Sequence, residues 1–215
     1  MKSAARLNNL SSQVTAFQGL TDLWDFLQLD EKLSDKYIEK REEVRKTLEE
    51  LRPTLLQAMN TTDFPWEIIP KMKNLGIAGI ELGEHGGPGF NMIEGGNLVM
   101  EMARVDASLA TTMCVHSCVG LLLDRLGSEE QKKKWIPHVL NMTKIFCFAL
   151  TEPHVGSDAA SISSSVKKVK GGYILNGAKR WISNGNIADV AFLWAKNEKG
   201  VVNAFLVEKG MKGFV

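Results

Sequence analysis

At residue 145 the spacing of apolar side chains changes period, and that change restricts the chain to a fold in two parts. Upstream, Leu33, Tyr37, Ile38, Val44, Leu48, Leu51 and Leu55 recur at spacings that place them on one helical face, with Lys, Arg and Glu between them. Downstream, short apolar runs at residues 145–150, 173–175, 180–182, 190–195 and 201–207 are separated by turn residues, Asn176-Gly177 and residues 197–200 among them. The order predicts an α+β fold: an N-terminal all-α domain over residues 26–144, then antiparallel strands over residues 145–215. No closing hairpin follows residue 207, so the β-domain reads as incomplete.

Within the helical part, Ser34 is an N-cap candidate, the charged run 39–45 reads as a solvated face, and Pro53 should kink or interrupt the first helix near its end. A second helix should begin after Asp63, tolerate Pro65 in its first turn, and stop at Gly76. Gly83, Gly86, Gly87 and Gly89 fit neither dinucleotide nor Walker spacing, so residues 83–90 read as a turn-rich surface loop rather than a phosphate cradle. Helices are expected over residues 93–105 and 108–126, the second largely apolar and buried. On it Cys114 and Cys118 share a face while His116 points away, which favours packed cysteines beside a hydrogen-bonded histidine over a metal site. Ser128 with Gln131 forms a capping box for a helix that Pro137 should limit near Trp135.

A formal charge of +1, from 26 Lys and Arg against 25 Asp and Glu, removes the broad attraction that nucleic acid or anionic lipid needs. Three cysteines without framework spacing point to a reducing compartment. No uninterrupted apolar run approaches the roughly 20 residues of a bilayer span. Residues 1–25 carry Lys2, Arg6 and several serines with no acid before Asp22, a composition shared by organellar transit peptides and by plain frayed termini.

The chemistry concentrates in residues 146–184. Thr151, Ser157 and Ser183 are hydroxyls on loops at strand ends, the backbone at Gly156 is open to close approach, and Trp181 can stack on a ring or wall it off. Such a set suits a planar heterocycle with carbonyls and ring nitrogens, or a pyrophosphate; the bland alternative is two ordinary polar loops around a buried Trp. Glu152 precedes Pro153 in a tight loop and reads as a structural carboxylate pairing with Arg180 rather than a general base. A nucleophile elbow, a His-Glu-x-x-His helix and a paired-cysteine zinc site are missing, which leaves serine-triad acyl transfer and zinc hydrolysis unsupported.

Four stretches together resemble the acyl-CoA dehydrogenase flavoproteins. They are Glu101-Met102-Ala103-Arg104-Val105-Asp106-Ala107-Ser108, Gly127-Ser128-Glu129-Glu130-Gln131-Lys132, residues 148–158 with Thr151-Glu152-Pro153 and Gly156-Ser157-Asp158, and Arg180-Trp181-Ile182-Ser183-Asn184. The resemblance implies a helical domain, a middle β-domain and a C-terminal helical domain, the last absent from this chain. It implies FAD as cofactor, with Phe148, Leu150 and Thr151 along the flavin and Thr151 on the pyrimidine edge. Gly156 and Ser157 would lie where the pyrophosphate and the acyl-CoA thioester arm converge, so Ser157 would also touch substrate. Trp181 and Ser183, with Ile182 between them, would cover the ring face on its N5 side. Ser183 stands where the family usually has Thr, and Phe148 replaces a frequent Tyr.

The implied reaction introduces an α,β double bond into an acyl-CoA thioester, a carboxylate base taking the α-proton while the β-hydrogen leaves to the flavin. That base belongs to the C-terminal domain of such enzymes, so no catalytic residue is expected here. Within the family the chain resembles the branch of glutaryl-CoA dehydrogenase and the plant-type short-chain acyl-CoA oxidases. No cation stands near Ala110, where glutaryl-specific members place an arginine, and this favours a neutral acyl chain. Also implied are a homo-oligomer (dimer or tetramer), electron-transfer flavoprotein or oxygen as acceptor, and the mitochondrial matrix, with the peroxisome as alternative. The competing readings are a truncated paralogue acting as a binding module and, last, a helical scaffold without flavin.

Overall fold

A computed structural model of the chain describes residues 32–61 and 63–214, so the expectation for residues 1–25 lies outside the described part. Among the described residues, 32–40 belong to one unit and 41–214 to another. The helices are α1 (Asp35–Thr61), α2 (Ile68–Leu75), α3 (Met92–Val105), α4 (Ala107–Leu126) and α5 (Glu129–Leu140). Helix α1 runs through Pro53 for a further eight residues, so that proline does not interrupt it, and α5 runs through Pro137, which does not limit it near Trp135 as expected. Each proline removes one backbone donor, and the tertiary packing of the apolar faces outweighs that loss. Ser34 accepts from the Tyr37 amide at the start of α1, Ser128 and Gln131 close their capping box, and Gly76 ends α2 in the left-handed region at φ 63°. A second capping box, Asn91 with Glu94, starts α3. The run 39–45 is not wholly solvated: Arg41 is buried, and Arg45 reaches inward to the buried Glu101 of α3. The glycine-rich loop folds on itself, with the His85, Gly86 and Gly87 amides donating to Leu82 and Gly83 carbonyls.

By length and composition α4 is apolar enough to cross a bilayer, a property that a search for uninterrupted apolar runs does not catch. It packs instead against α3, α5 and the first strand. Cys114 and Cys118 are exposed on it rather than packed; Cys147 is the buried cysteine. His116 is fully buried, its Nε2 lies 2.9 Å from the Val139 carbonyl, and the Phe146 amide donates to its Nδ1 at 3.3 Å. A carbonyl only accepts and an amide only donates, so both bonds require the neutral ring with its proton on Nε2. Burial holds its pKa below the ordinary value, against the opposing pull of the Val139 carbonyl. An unfolded histidine takes up a proton more readily, so this contribution is complete above about pH 6.5 and is lost as the pH falls below it. His116→Leu leaves the Phe146 amide unpaired, while the Val139 carbonyl keeps the Met142 amide, and should cost about 1–3 kcal/mol. A thermal midpoint within 2 °C or so of the parent would refute this.

The strands are β1 (Phe146–Ala149), β2 (Ser165–Val169), β3 (Gly172–Asn176), β4 (Val190–Lys196) and β5 (Val202–Glu208). The sheet is mixed, not purely antiparallel. Strand β5 pairs antiparallel along all of β4, while the opposite edge of β4 is shared by β1 over residues 190–193 and by β2 at Lys196, both parallel to it. Some forty residues separate β1 from β4, so that connection is no hairpin and parallel pairing is open to it. The hairpin of residues 173–182 is displaced: β3 pairs with β2 around Lys170-Gly171, Gly171 taking φ 87°, and residues 180–182 are not a strand. The β4–β5 hairpin falls where its turn residues put it. Phe146, Phe148, Val190, Phe192 and Trp194 face α4 and α5 on one side of the sheet, and Cys147, Ala149, Ala191 and Leu193 meet Val166, Leu175 and Ile182 on the other.

Candidate functional site

Two loops leave this sheet side by side, residues 150–158 after β1 and residues 178–186 before β4, and one buried carboxylate ties them. Glu152 is 4% exposed. Its Oε1 accepts from the Lys179 ammonium at 2.8 Å and the Ser164 amide at 2.9 Å, and its Oε2 accepts from the Ser163 amide and hydroxyl, both at 2.6 Å. Burial, the largest single influence, opposes the charge, but the bonds from Lys179, Ser163 and Ser164 outweigh it and hold this carboxyl well below the usual carboxylate range. The structural role expected of Glu152 therefore stands with a different partner: Lys179 takes the place assigned to Arg180. Lys179 also donates to the Leu150 carbonyl at 2.9 Å, and the Arg180 amide donates to the Thr151 carbonyl at 2.9 Å, so three contacts lock loop to loop.

Gly177 serves close packing and not a hairpin turn. A Cβ there would stand 2.1 Å from Ser164 Oγ and 2.8 Å from Ser164 Cα, and Ser164 is pinned by Glu152 at its amide and by the Lys196 amide at its carbonyl. Gly177→Ala should therefore cost about 3 kcal/mol, and adding Ser164→Gly should restore only part because the backbone contact remains. An unchanged urea midpoint would rule out this account.

The clamp leaves the candidate ligand groups outside it. Ser157, Ser183 and Gly156 are exposed and Thr151 is half-buried, and among the described residues none of the three hydroxyls has a protein hydrogen-bond partner. Trp181 is 78% exposed rather than buried, and it adopts φ 58°, a region that bulky residues rarely enter. Phe148 and Ile182 turn inward: Phe148 packs against Trp194 on the helix side of the sheet, and Ile182 lies against the Cys147 cluster on the other. Leu150 is half-buried beneath the clamp. A cavity of about 740 Å³ lies between the α4–α5 junction and the β4–β5 hairpin, and none of these residues lines it. The loops, with their uncommitted donors, form the candidate site, apart from that cavity. Lys179, Ser163 and Ser164 were not foreseen as partners of Glu152. The basic residue two positions after Gly177 was the available signal, but a spacing cannot say which of two adjacent cations turns inward.

The acyl-CoA dehydrogenase N-terminal domain profile matches residues 34–143, and the acyl-CoA dehydrogenase middle domain profile matches residues 147–215. The chain belongs to the acyl-CoA dehydrogenase family. Similar members include an acyl-CoA dehydrogenase of Bacillus subtilis (strain 168), 36% identical over 77% of this chain and 45% of its own length. The mitochondrial isovaleryl-CoA dehydrogenase of Pongo abelii is 34% identical over 85% of this chain and 46% of its own. Among solved structures, a glutaryl-CoA dehydrogenase from Mycobacterium smegmatis in complex with FADH2 superposes with a TM-score of 0.82 at 32% identity, covering 88% of this chain and 50% of that one. The chain thus spans about half the length of these relatives.

Proposed function

We propose that this chain is the flavin-holding part of an FAD-dependent enzyme that introduces an α,β double bond into a neutral acyl-CoA thioester. The observation that carries the reading is the clamp: Glu152 and Lys179 are spent on joining the two loops, which leaves Thr151, Ser157 and Ser183 free to donate beside the exposed, strained Trp181. Those residues fit FAD. Thr151 and Ser183 would hydrogen-bond the ring system, Ser157 and the backbone at Gly156 the diphosphate arm and the thioester, and Trp181 would cover one ring face; Phe148, Leu150 and Ile182 support the loops from beneath. When bound, FAD supplies the two-electron acceptor chemistry that no side chain here offers. No described carboxylate is proposed as the base, since Glu152 is committed to the clamp. A neutral acyl chain is favoured because Ala110, buried on α4 with Leu109 and Met113, stands where glutaryl-specific members place an arginine. The mitochondrial matrix belongs to the same proposal, supported by the mitochondrial isovaleryl-CoA dehydrogenase relative, and a homo-oligomer with an electron-transfer flavoprotein or oxygen as acceptor belongs to it as what family membership implies.

The test is retention of visible flavin absorbance after the chain is incubated with FAD and passed through gel filtration. Thr151→Ala and Ser157→Ala should each weaken FAD binding about tenfold, one lost hydrogen bond, without changing the far-UV spectrum. A wild-type chain that emerges folded and colourless sinks the proposal.

A further inference from the structure

We infer that Arg180 sets the charge behind the stacking platform presented by Trp181, and so biases a ring bound there toward its reduced, anionic form; the inference rests on the flavin reading above. The Arg180 guanidinium lies 4.4 Å from the centroid of the Trp181 ring. Arg180 is exposed, and among the described residues it makes no ion pair, because Lys179 occupies the clamp carboxylate. One face of the indole therefore carries a cation. With 78% of Trp181 open and no second ring or cation against it among the described residues, the other face is free to stack. The pair is held from its backbone: the Arg180 amide is fixed to Thr151, and Trp181 at φ 58° is kept in a conformation it would not choose alone.

A cation on one face draws π-density toward itself, so the open face favours a ring that carries or gains negative charge. Two electrons and one proton added to a neutral isoalloxazine leave one net negative charge on the ring. A fixed positive charge one aromatic ring away therefore stabilises the reduced form more than the oxidised form. Arg180 touches neither the substrate nor the reacting atoms in this account. It acts through Trp181, and is a positioning residue.

The test is a potentiometric titration of the FAD-loaded chain with dithionite against a reference dye, without acyl-CoA. Arg180→Met should lower the preference for reduced over oxidised flavin about tenfold, which is about 30 mV for a two-electron couple. The difference should shrink at high salt, because the charge is exposed. Oxidised FAD should bind within about twofold of wild type, since the substitution is on the surface. Arg180→Lys keeps the charge and should retain most of the wild-type potential. An unchanged potential in Arg180→Met overturns the inference, and so does an equal fall in both variants, which would assign the effect to the guanidinium plane instead of its charge. If wild type binds no FAD, the flavin reading fails and this inference falls with it; if wild type binds FAD and Arg180→Met leaves the potential unchanged, only this inference fails.

Discussion

Glu152→Gln should destabilise the chain by about 3–5 kcal/mol at neutral pH, the range for breaking a buried ion pair by removing one partner. Every group around this carboxylate donates: the Lys179 ammonium, the Ser163 and Ser164 amides and the Ser163 hydroxyl. A glutamine amide offers one acceptor and one donor, so either orientation turns its NH2 toward an N–H that cannot accept. Only the Ser163 hydroxyl can rotate to relieve it. Lys179, 8% exposed, would keep at most a neutral amide oxygen and the Leu150 carbonyl in place of its carboxylate. Adding Lys179→Met should recover part of the loss, a coupling that independent sites would not show. The charge also fixes the sign of the pH dependence. Because the folded carboxyl is held below its ordinary value, the wild-type contribution is complete above about pH 4.5 and is lost as the pH falls below that. Urea midpoints followed from pH 7 to pH 3 should show this acid limb in wild type and not in Glu152→Gln. Equal midpoints for the two proteins at pH 7 would mean that the clamp stabilises nothing.

The two-part fold was legible because apolar periodicity reports burial directly, and the change at residue 145 survives in the structure as the passage from α5 to β1. Caps were legible for the same local reason: Ser128, Gln131 and Gly76 act within one turn of themselves. Strand pairing was not. The Asn176-Gly177 dipeptide reads as a hairpin turn, yet its glycine is required by Ser164, thirteen residues upstream in sequence and in contact only once β2 and β3 have paired. The two prolines misled in the opposite sense. Local propensity predicts a kink or interruption at Pro53 and a limit at Pro137, and both helices nevertheless continue past their proline. In the candidate site the hydroxyls and Trp181 were proposed from residue type, while the choice of Lys179 over Arg180 depended on which way a loop turns. The alternative of a buried Trp181 is excluded by an exposure that the sequence does not carry. Trp181 is 78% exposed at φ 58°, and no composition records a dihedral angle.

Asn184 should be the residue that fixes that loop, and its substitutions should rank in an order that separates conformation from hydrogen bonding. Asn184 is 8% exposed at φ 64°, and its Nδ2 donates to the Thr112 carbonyl of α4 at 3.0 Å and to the Phe146 carbonyl of β1 at 3.2 Å. One amide thus joins a helix, a strand and the loop that carries Trp181 and Ser183. Asparagine tolerates the left-handed region, and its short side chain supplies both protons. Asn184→Gly keeps the backbone conformation and loses both bonds, which should cost about 2 kcal/mol. Asn184→Ala loses the bonds and adds a left-handed penalty, for about 3 kcal/mol or more in all. Asn184→Asp keeps shape and conformation but sets a carboxylate against two carbonyl oxygens, so at pH 7 it should be the worst of the three and should improve on acidification. Urea midpoints at pH 7 and below pH 5 read this order directly. If glycine matches wild type, the position is only a backbone hinge; if aspartate matches it, the two carbonyl contacts do not hold the loop.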